Sequence, residues 1–276
     1  MRFMKWPNYG RAVATAVALG LVAAGASAQQ DKTIEEIEKY RQMLQDANPA
    51  ELLVMRGEEQ WKTKAGPKGA SLESCDLGQG PGVVKGAYAQ MPRYFADVDQ
   101  VMDFEARLVH CMVTLQGMDR GALTKKPFSG GGQRQTDIEA LTAYVVEQSR
   151  GDTIAVPQKD PKERAAYDRG KTLFYLRAGP YDFACATCHG VDGQRIRLQD
   201  LPNFEKAEPA KRAFATWPAY RVSQGALRTM QWRINDCFRQ QRFPEPTYIS
   251  QGTIDLITFL GVKAAGGEMN SPAIKR

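Results

Sequence analysis

The stretch Cys185-Ala186-Thr187-Cys188-His189 decides the fold, because it has the C-x-x-C-H pattern of a haem attachment site. Two thiols at this spacing can each add to a vinyl group of haem, and the imidazole that follows can bind the iron from one side. A redox C-x-x-C pair or half of a zinc site is the alternative, but the chain has only two histidines and five cysteines to supply further ligands. The sequence therefore predicts one covalently bound haem c, held by Cys185, Cys188 and His189.

The beginning of the chain has the pattern of a secretory signal peptide. Arg2, Lys5 and Arg11 precede or open an apolar run over residues 12–24, and small residues occupy positions 26–28, where a signal peptidase cleaves. The apolar run is too short for an ordinary transmembrane helix, which needs about 20 apolar residues, and no later segment approaches that length. We therefore predict a signal peptide over residues 1–28, export to the periplasm and no membrane span.

The charge balance argues against one class of partner. The formal net charge is +6 at pH 7, and the predicted signal peptide contributes three basic residues and no acid to it. The remaining Lys and Arg residues are scattered, without the dense basic run that is typical of nucleic-acid binding. No nucleic-acid partner is therefore expected.

The chain also repeats itself in a fixed order. One set of matches lies at a shift of 113 positions, a second at a shift of 126, and a third later in the chain. The matches are Arg56-Gly57 with Arg169-Gly170, Ala65-Gly66-Pro67 with Ala178-Gly179-Pro180, Cys75 with Cys188, Pro92 with Pro218, Tyr94 with Tyr220, Arg107 with Arg233, Cys111 with Cys237, and residues 138–142 with 254–258.

The two copies differ at the haem motif. Leu72 stands at the position of Cys185, and Asp76 stands at that of His189. Because Leu cannot form a thioether bond and Asp is not the usual iron ligand, the first copy is predicted to hold no haem.

These observations predict a mostly α-helical protein with two tandem cytochrome c-like domains. The haem-less domain would span residues 29–150 and the haem-binding domain residues 151–276, with a linker around residues 149–159. Apolar residues at helical spacing and helix-boundary signals predict helices at Thr33–Gln45, Ala50–Trp61, Met102–Gln116, Thr136–Glu147, Pro161–Leu176, Arg228–Arg239 and Thr253–Val262.

The iron ligand opposite His189 is not fixed by the motif. Met230 is the usual type of ligand for an electron-transfer cytochrome, and Cys237 is the competitor. His110 could serve only if the two domains approach each other closely.

The repeat helps to choose between these ligands. Cys75 and Cys111 align with Cys188 and Cys237, so in the first copy they occupy places that would face a haem from opposite sides. Without haem they could meet, and in an exported protein we expect them to form a disulfide. By analogy, Cys237 is expected on the iron or beside it.

Basic residues near Cys237 indicate a role beyond electron transfer. Arg233 lies four residues earlier, on the same face of the predicted helix. A guanidinium there lowers the pKa of the thiol and offers hydrogen-bond donors to a sulfur oxyanion. Arg239 and Lys263 could extend this positive surface and are further substrate-binding candidates, whereas Arg242 is expected to be a solvated charge.

Over essentially the whole predicted mature chain, the sequence resembles the SoxA family, whose members are subunits of the SoxAX cytochrome complex. The resemblance is carried by the tandem cytochrome pattern, by the C-x-x-C-H motif and by the segment from Arg233 to Pro246. It implies that Cys237 is an axial haem ligand, a persulfide carrier and the catalytic residue, and that Arg233 binds substrate. Leu72 and Asp76 depart from two-haem members and match the single-haem branch, in which a disulfide replaces the first haem.

The resemblance also implies a function. Thiosulfate would be joined oxidatively to the carrier cysteine of SoxYZ as a cysteine S-thiosulfonate, and two electrons would pass to an electron-acceptor cytochrome c. SoxX would be the partner in a heterodimer. Two alternatives remain: a thiosulfate dehydrogenase that forms tetrathionate, and a plain electron-transfer cytochrome c with Met230 on the iron.

Overall fold

Apolar residues at helical spacing, bounded by polar caps, give much of the described chain a helical structure. The computed structural model describes residues 35–36, 39–40, 43, 47–196 and 199–275. The predicted signal peptide lies outside the described residues, as does most of the helix predicted over Thr33–Gln45. The described residues up to position 47 belong to a different unit from those that follow, and the ones described up to position 43 are helical.

The second unit, residues 48–276, contains the elements that position the site. In chain order they are α1 (Ala50–Lys62), a 3₁₀ turn (Tyr88–Gln90), β1 (Arg93–Phe95), β2 (Gln100–Met102), α2 (Phe104–Thr114), α3 (Arg120–Lys125), α4 (Asp137–Glu147), α5 (Pro161–Tyr175), α6 (Cys185–His189), β3 (Arg195–Ile196), β4 (Gln199–Asp200), α7 (Ala207–Ala215), β5 (Ala219–Arg221), a 3₁₀ turn (Val222–Gln224), β6 (Ala226–Arg228), α8 (Met230–Gln240), α9 (Gln251–Lys263) and β7 (Ala273–Lys275).

Side-chain caps fix where the longer helices begin. Asp160 accepts a hydrogen bond from the backbone N–H of Lys162, and Pro161 occupies the first position of α5. At α4, Thr136 and Glu139 form a reciprocal capping box. The six helices predicted between residues 50 and 263 are confirmed, and their bounds agree to within two residues.

Helices α2 and α8 begin two residues later than the sequence pattern indicates. Their predicted first residues, Met102 and Arg228, instead end strands β2 and β6. The caps Asp103 and Thr229 follow in extended conformation, and each accepts a hydrogen bond from the first turn of its helix. Apolar spacing alone could not show this boundary, because a three-residue strand is too short to reveal its own period.

A strand–strand–helix segment occurs twice with the same spacing. The bounds of β1, β2 and α2 each lie 126 positions before those of β5, β6 and α8. Both hairpins are antiparallel: Phe95 pairs with Gln100 in the first, and Arg221 pairs with Ala226 in the second. Strand β7 adds to β5 in parallel orientation. The architecture therefore repeats at the spacing that aligns Cys111 with Cys237.

Two pairs of crossing helices also repeat. Helix α1 packs on α4, and α5 packs on α9. A Cβ atom on Gly57 would lie 2.0 Å from the carbonyl oxygen of Ala140, and one on Gly170 would lie 1.9 Å from the carbonyl oxygen of Asp255. In both pairs a glycine lets the two backbones touch, so α5 is held tightly just before the C-x-x-C-H helix α6.

The stretch predicted as a linker is integrated into the fold. The N–H of Ile154 donates to the carbonyl of Gly267 at 2.7 Å, and that of Ala155 donates to the carbonyl of Ala89 at 2.9 Å. Ile154 and Val156 are buried in a hydrophobic core that includes residues of both repeats. The domain boundary between residues 150 and 151 therefore stays a prediction. None of the described helices is long and apolar enough to cross a membrane.

Candidate haem and sulfur site

Helix α6 presents the two thiols of the C-x-x-C-H motif. Ala184 precedes it in extended conformation, and its N–H donates to the Thr187 hydroxyl at 2.9 Å. Cys185 and Cys188 are free thiols and partly exposed. Burial, together with the nearby Cys237 sulfur, raises the pKa of Cys185 to about 12. The two attachment thiols are thus close to Cys237, which comes from a different helix.

The His189 ring is oriented by a backbone carbonyl. Its Nδ1 lies 2.9 Å from the carbonyl oxygen of Pro202, and a carbonyl can only accept, so Nδ1 carries the proton. Burial is the main cause that lowers the pKa of His189, which favours the neutral ring. Nε2 is then free to bind a metal, as in metal-binding histidines whose other nitrogen donates to a fixed acceptor.

The corresponding positions of the first repeat are closed. Leu72 is fully buried in the core. The Asp76 carboxylate accepts hydrogen bonds from the N–H groups of Gly78 and Gly80, at 2.6 and 3.0 Å, and so stabilises a turn. Neither side chain offers what haem attachment requires.

The structure joins Cys75 and Cys111 in a disulfide that is buried. The repeat aligns these residues with Cys188 and Cys237, which are free. The Cys188 sulfur is among the groups that act on the pKa of Cys237, so the two free thiols also lie near each other. The two cysteines are bonded to each other in the first repeat, whereas the aligned cysteines of the second repeat are free to bind a ligand.

Cys237 lies in the C-terminal part of α8, next to positive charge. Burial raises the pKa of its thiol, while the Arg233 guanidinium acts in the opposite direction. Arg233 also lowers the pKa of His189. Arg233 therefore lies within electrostatic reach of both Cys237 and His189.

Asp236 organises the arginines of α8. Its side chain is only 7% exposed; Oδ2 lies 3.0 Å from Nη1 of Arg233, and Oδ1 accepts from Arg239. The side chain of Gln240 donates to the same carboxylate at 2.7 Å. Arg239 is thus placed beside Arg233 and shares its counter-ion, which the sequence analysis did not identify.

Three other candidate residues have different surroundings. Met230 is buried at the start of α8 and, with Phe214 and Trp217, lines a small cavity in the core. His110 lies 3.5 Å from the carboxylate of Asp97. Lys263 donates to Glu205 at 3.5 Å, which gives its charge a partner other than the Cys237 sulfur.

The sequence analysis missed Arg221, the last residue of β5. Its Nε is buried and, in the part of the chain that the structure describes, has no hydrogen-bond partner. Its pKa is lowered by burial and by Arg233, and the Cys237 sulfur acts in the opposite direction. Only the alignment of Arg221 with Phe95 in the repeat could have singled it out.

The donor set fits a covalent haem. It offers two free thiols in one short helix, a neutral imidazole with a bare Nε2, and a third free thiol from a separate helix. Thioether formation consumes two thiols, and the imidazole and third thiol are suitable axial ligands.

Known proteins resemble this chain along most of its length. Residues 56–154 match the family model described as SoxA/TsdA, cytochrome c domain. The chain is 50% identical, over 95% of its length and 94% of the other protein, to the L-cysteine S-thiosulfotransferase subunit SoxA of Hydrogenophilus thermoluteolus. A protein of the same name from Hydrogenobacter thermophilus is 34% identical, with 94% of this chain and 95% of that protein covered.

A solved structure has the same fold. The crystal structure of SoxXA from P. pantotrophus matches with a TM-score of 0.70 and 24% identity, and the match covers 86% of this chain and 84% of that one. The mostly helical cytochrome fold is therefore shared. Because half of its residues are identical to those of a SoxA protein along nearly the full length of both, this chain belongs to the SoxA family.

Proposed function

We propose that this protein joins thiosulfate oxidatively to the carrier cysteine of SoxYZ, giving a cysteine S-thiosulfonate and two electrons for a cytochrome c. Its relatives bear the name L-cysteine S-thiosulfotransferase subunit SoxA, which supports this activity. The observation that carries the proposal is the free Cys237 thiol, one helical turn from Arg233 and close to the C-x-x-C-H helix.

One haem c would be held by this chain. Cys185 and Cys188 would form the thioether bonds, and His189 and Cys237 would bind the iron. When bound, haem c supplies one-electron transfer toward an external acceptor. Met230 lines a core cavity with Phe214 and Trp217, whereas the Cys237 sulfur acts on Cys185 of the motif, which favours Cys237 as the iron ligand.

Each side chain of this site has a different role in the proposed reaction. Arg233 binds the sulfonate oxygens of thiosulfate through its guanidinium N–H groups, and Asp236 keeps it in place. The Cys237 sulfur and the sulfane sulfur form an S–S bond as two electrons leave. The carrier thiolate then attacks the sulfane sulfur, which breaks that bond and releases Cys237 as a thiolate. Arg239 and Lys263 remain candidates for further contacts with the anion.

The first repeat would be a cytochrome c domain without haem. The family model of a cytochrome c domain covers residues 56–154, which include no C-x-x-C-H motif. Leu72 and Asp76 replace the attachment residues, and a disulfide joins the positions that align with Cys188 and Cys237. These observations support tandem domains over residues 29–150 and 151–276.

The partners follow from the family. The similar structure is a complex named SoxXA, which supports a heterodimer with SoxX. SoxYZ would bring the carrier cysteine, and a small cytochrome c would accept the electrons. These encounters would take place in the periplasm, after removal of residues 1–28.

A second candidate is thiosulfate dehydrogenase, because the matching family model includes TsdA as well as SoxA. This reaction would join two molecules of thiosulfate and need no protein carrier. Dependence of turnover on SoxYZ separates the two activities.

The test is thiosulfate-dependent reduction of cytochrome c by the holoenzyme with SoxX, with and without SoxYZ. We expect activity only with SoxYZ, together with a gain of one thiosulfate in the mass of the carrier. Cys237→Ala should keep its covalent haem, since Cys185, Cys188 and His189 remain, and should lose this activity. Undiminished turnover in Cys237→Ala would remove Cys237 from the mechanism.

Low-temperature EPR of the oxidised proteins identifies the ligand separately. We expect a thiolate-type low-spin signal that is lost in Cys237→Ala and kept in the matched variant Met230→Leu. A signal of the His/Met type that changes only in Met230→Leu would instead support a plain electron-transfer cytochrome.

A further inference from the structure

Arg221 carries a buried hydrogen-bond donor that has no partner among the residues that the structure describes. It is the last residue of β5, paired in the sheet with Ala226 and Lys275, and its side chain turns its Nε away from solvent. A buried donor that is left unpaired lowers the stability of the fold. The nearby Arg228 differs, since it donates to Gln224, to the Ser129 carbonyl and to Glu139.

The charges around Arg221 are those of the sulfur site. Arg233 lowers the pKa of Arg221, whereas Asp236 and the Cys237 sulfur act in the opposite direction, so all three lie within electrostatic reach. The carboxylate of Asp236 is already shared by Arg233 and Arg239. The site therefore has more guanidinium groups than carboxylates to neutralise them.

The first repeat shows the same framework without this excess charge. Arg107, which aligns with Arg233, lies over the ring of Phe95 at 4.2 Å and pairs with both oxygens of Asp97 at 2.9 and 2.7 Å. In the second repeat, Arg221 takes the position of Phe95, and Ser223 takes that of Asp97. Compared with the first repeat, the second repeat has an additional positive charge at position 221 and lacks a negative charge at position 223.

We propose that Arg221 is a second substrate-binding residue, which together with Arg233 binds the sulfonate group of a doubly charged sulfur oxyanion such as thiosulfate. This inference rests on the proposed function. Two guanidinium groups that bind one sulfonate would favour dianions over neutral thiols and monoanions, because two positive charges attract a doubly charged anion more strongly. Such an anion would supply the acceptor that Nε of Arg221 lacks within the described part of the chain.

The experiment compares Arg221→Gln and Arg221→Lys in the holoenzyme with SoxX, using Lys171→Gln as a charge-matched control on the exposed face of α5. In Arg221→Gln we expect the KM for thiosulfate to rise about 10- to 100-fold, as for a lost charge-assisted hydrogen bond, with a smaller change in kcat. Competitive inhibition by sulfate should weaken by a similar factor. Arg221→Lys should recover part of the affinity for thiosulfate and of the inhibition by sulfate, and Lys171→Gln should change neither quantity.

Calorimetric titration of the oxidised holoenzyme with sulfate, without carrier, tests binding apart from turnover. Weaker sulfate binding in Arg221→Gln supports the inference even if the wild type fails to modify SoxYZ, which would refute the proposed function alone. Unchanged sulfate affinity and unchanged KM, with an unaltered haem spectrum, would overturn it. So would a fall in kcat without a change in KM that Arg221→Lys does not rescue, since this indicates a purely structural residue.

Discussion

Two carboxyl groups, Asp103 and Glu105, are buried where the two repeats meet. Asp103 accepts a hydrogen bond from the side chain of Gln231 in α8 at 2.5 Å, while Oε1 of Glu105 has no partner among the described residues. Burial raises the pKa of both groups, that of Glu105 to about 8 from an ordinary 4.5. Glu105 is therefore expected to be protonated in the folded protein at pH values where an unfolded chain would ionise it.

This difference makes stability depend on pH. Between about pH 4.5 and 8 the folded state binds more protons than the unfolded state, so the free energy of unfolding should fall as the pH rises. Glu105→Gln cannot ionise and should lose much of this decline, on the order of 1–3 kcal/mol. Urea unfolding of the wild type and of Glu105→Gln at about pH 5 and pH 8 measures this decline. The same decline in both proteins would contradict this account.

At the residue scale, the sequence predicted those site residues that a motif or a repeat marks. Cys185, Cys188 and His189 follow a fixed spacing, and Cys237 aligns with a cysteine of the first repeat. Arg221 lies in no motif, and the repeat aligns it with Phe95 rather than with another arginine. An arginine at the end of a three-residue strand is an ordinary surface residue in sequence, and only packing shows that its Nε is buried beside the sulfur site.

At the scale of elements, the position of α6, which carries the C-x-x-C-H motif, depends on how α5 crosses α9. Gly170 lies where the two backbones touch, and Gly57 has the same role between α1 and α4. Because the contact at Gly170 is with the backbone carbonyl of Asp255, no side-chain rearrangement can make room for a larger residue.

Gly170→Ala should therefore lower the free energy of unfolding by about 3 kcal/mol or more, since its Cβ would lie 1.9 Å from a backbone oxygen. Gly252→Ala in α9 is the matched control, because its Cβ would lie 3.7 Å from the nearest atom, an ordinary contact. The control should change stability by less than about 1 kcal/mol. Chemical denaturation followed by circular dichroism measures both, and equal effects would disprove the importance of the crossing.

The elements that the sequence missed are short. Hairpins β1–β2 and β5–β6 have strands of three residues, which cannot display an alternating pattern. The longer helices were found because apolar spacing and caps such as Asp160 agree with each other. The nine-residue helix α7 was not predicted, and it lies between turns with few cap signals: Lys206 precedes it without a side-chain cap.

At the scale of the whole molecule, a disulfide stabilises the first repeat. It links residues 36 positions apart and lies in the core. Restricting an unfolded loop of that length is worth about 3–4 kcal/mol on the chain-entropy model. The second repeat has free thiols at the aligned positions and would depend on its cofactor.

Replacing both cysteines, as in Cys75→Ala with Cys111→Ala, should therefore lower the free energy of unfolding by about 3–4 kcal/mol. A reductant should destabilise the wild type by a similar amount and leave the double variant unchanged, because the proposed thioether bonds would resist thiol reductants. Urea midpoints with and without reductant check this. A wild type that is insensitive to reductant, despite measured loss of the disulfide, would count against it.

The contrast between the bonded pair Cys75–Cys111 and the free pair Cys188 and Cys237 has a consequence for biogenesis. The first pair forms by losing electrons to an oxidant, whereas Cys188 would have to stay reduced in order to form the proposed thioether bond with haem. An oxidant able to form the first bond can also join the second pair, whose positions are equivalent, and so block cofactor insertion. On the proposed function, disulfide formation and haem attachment would compete in one compartment, and the yield of finished protein would depend on how quickly haem is attached to α6.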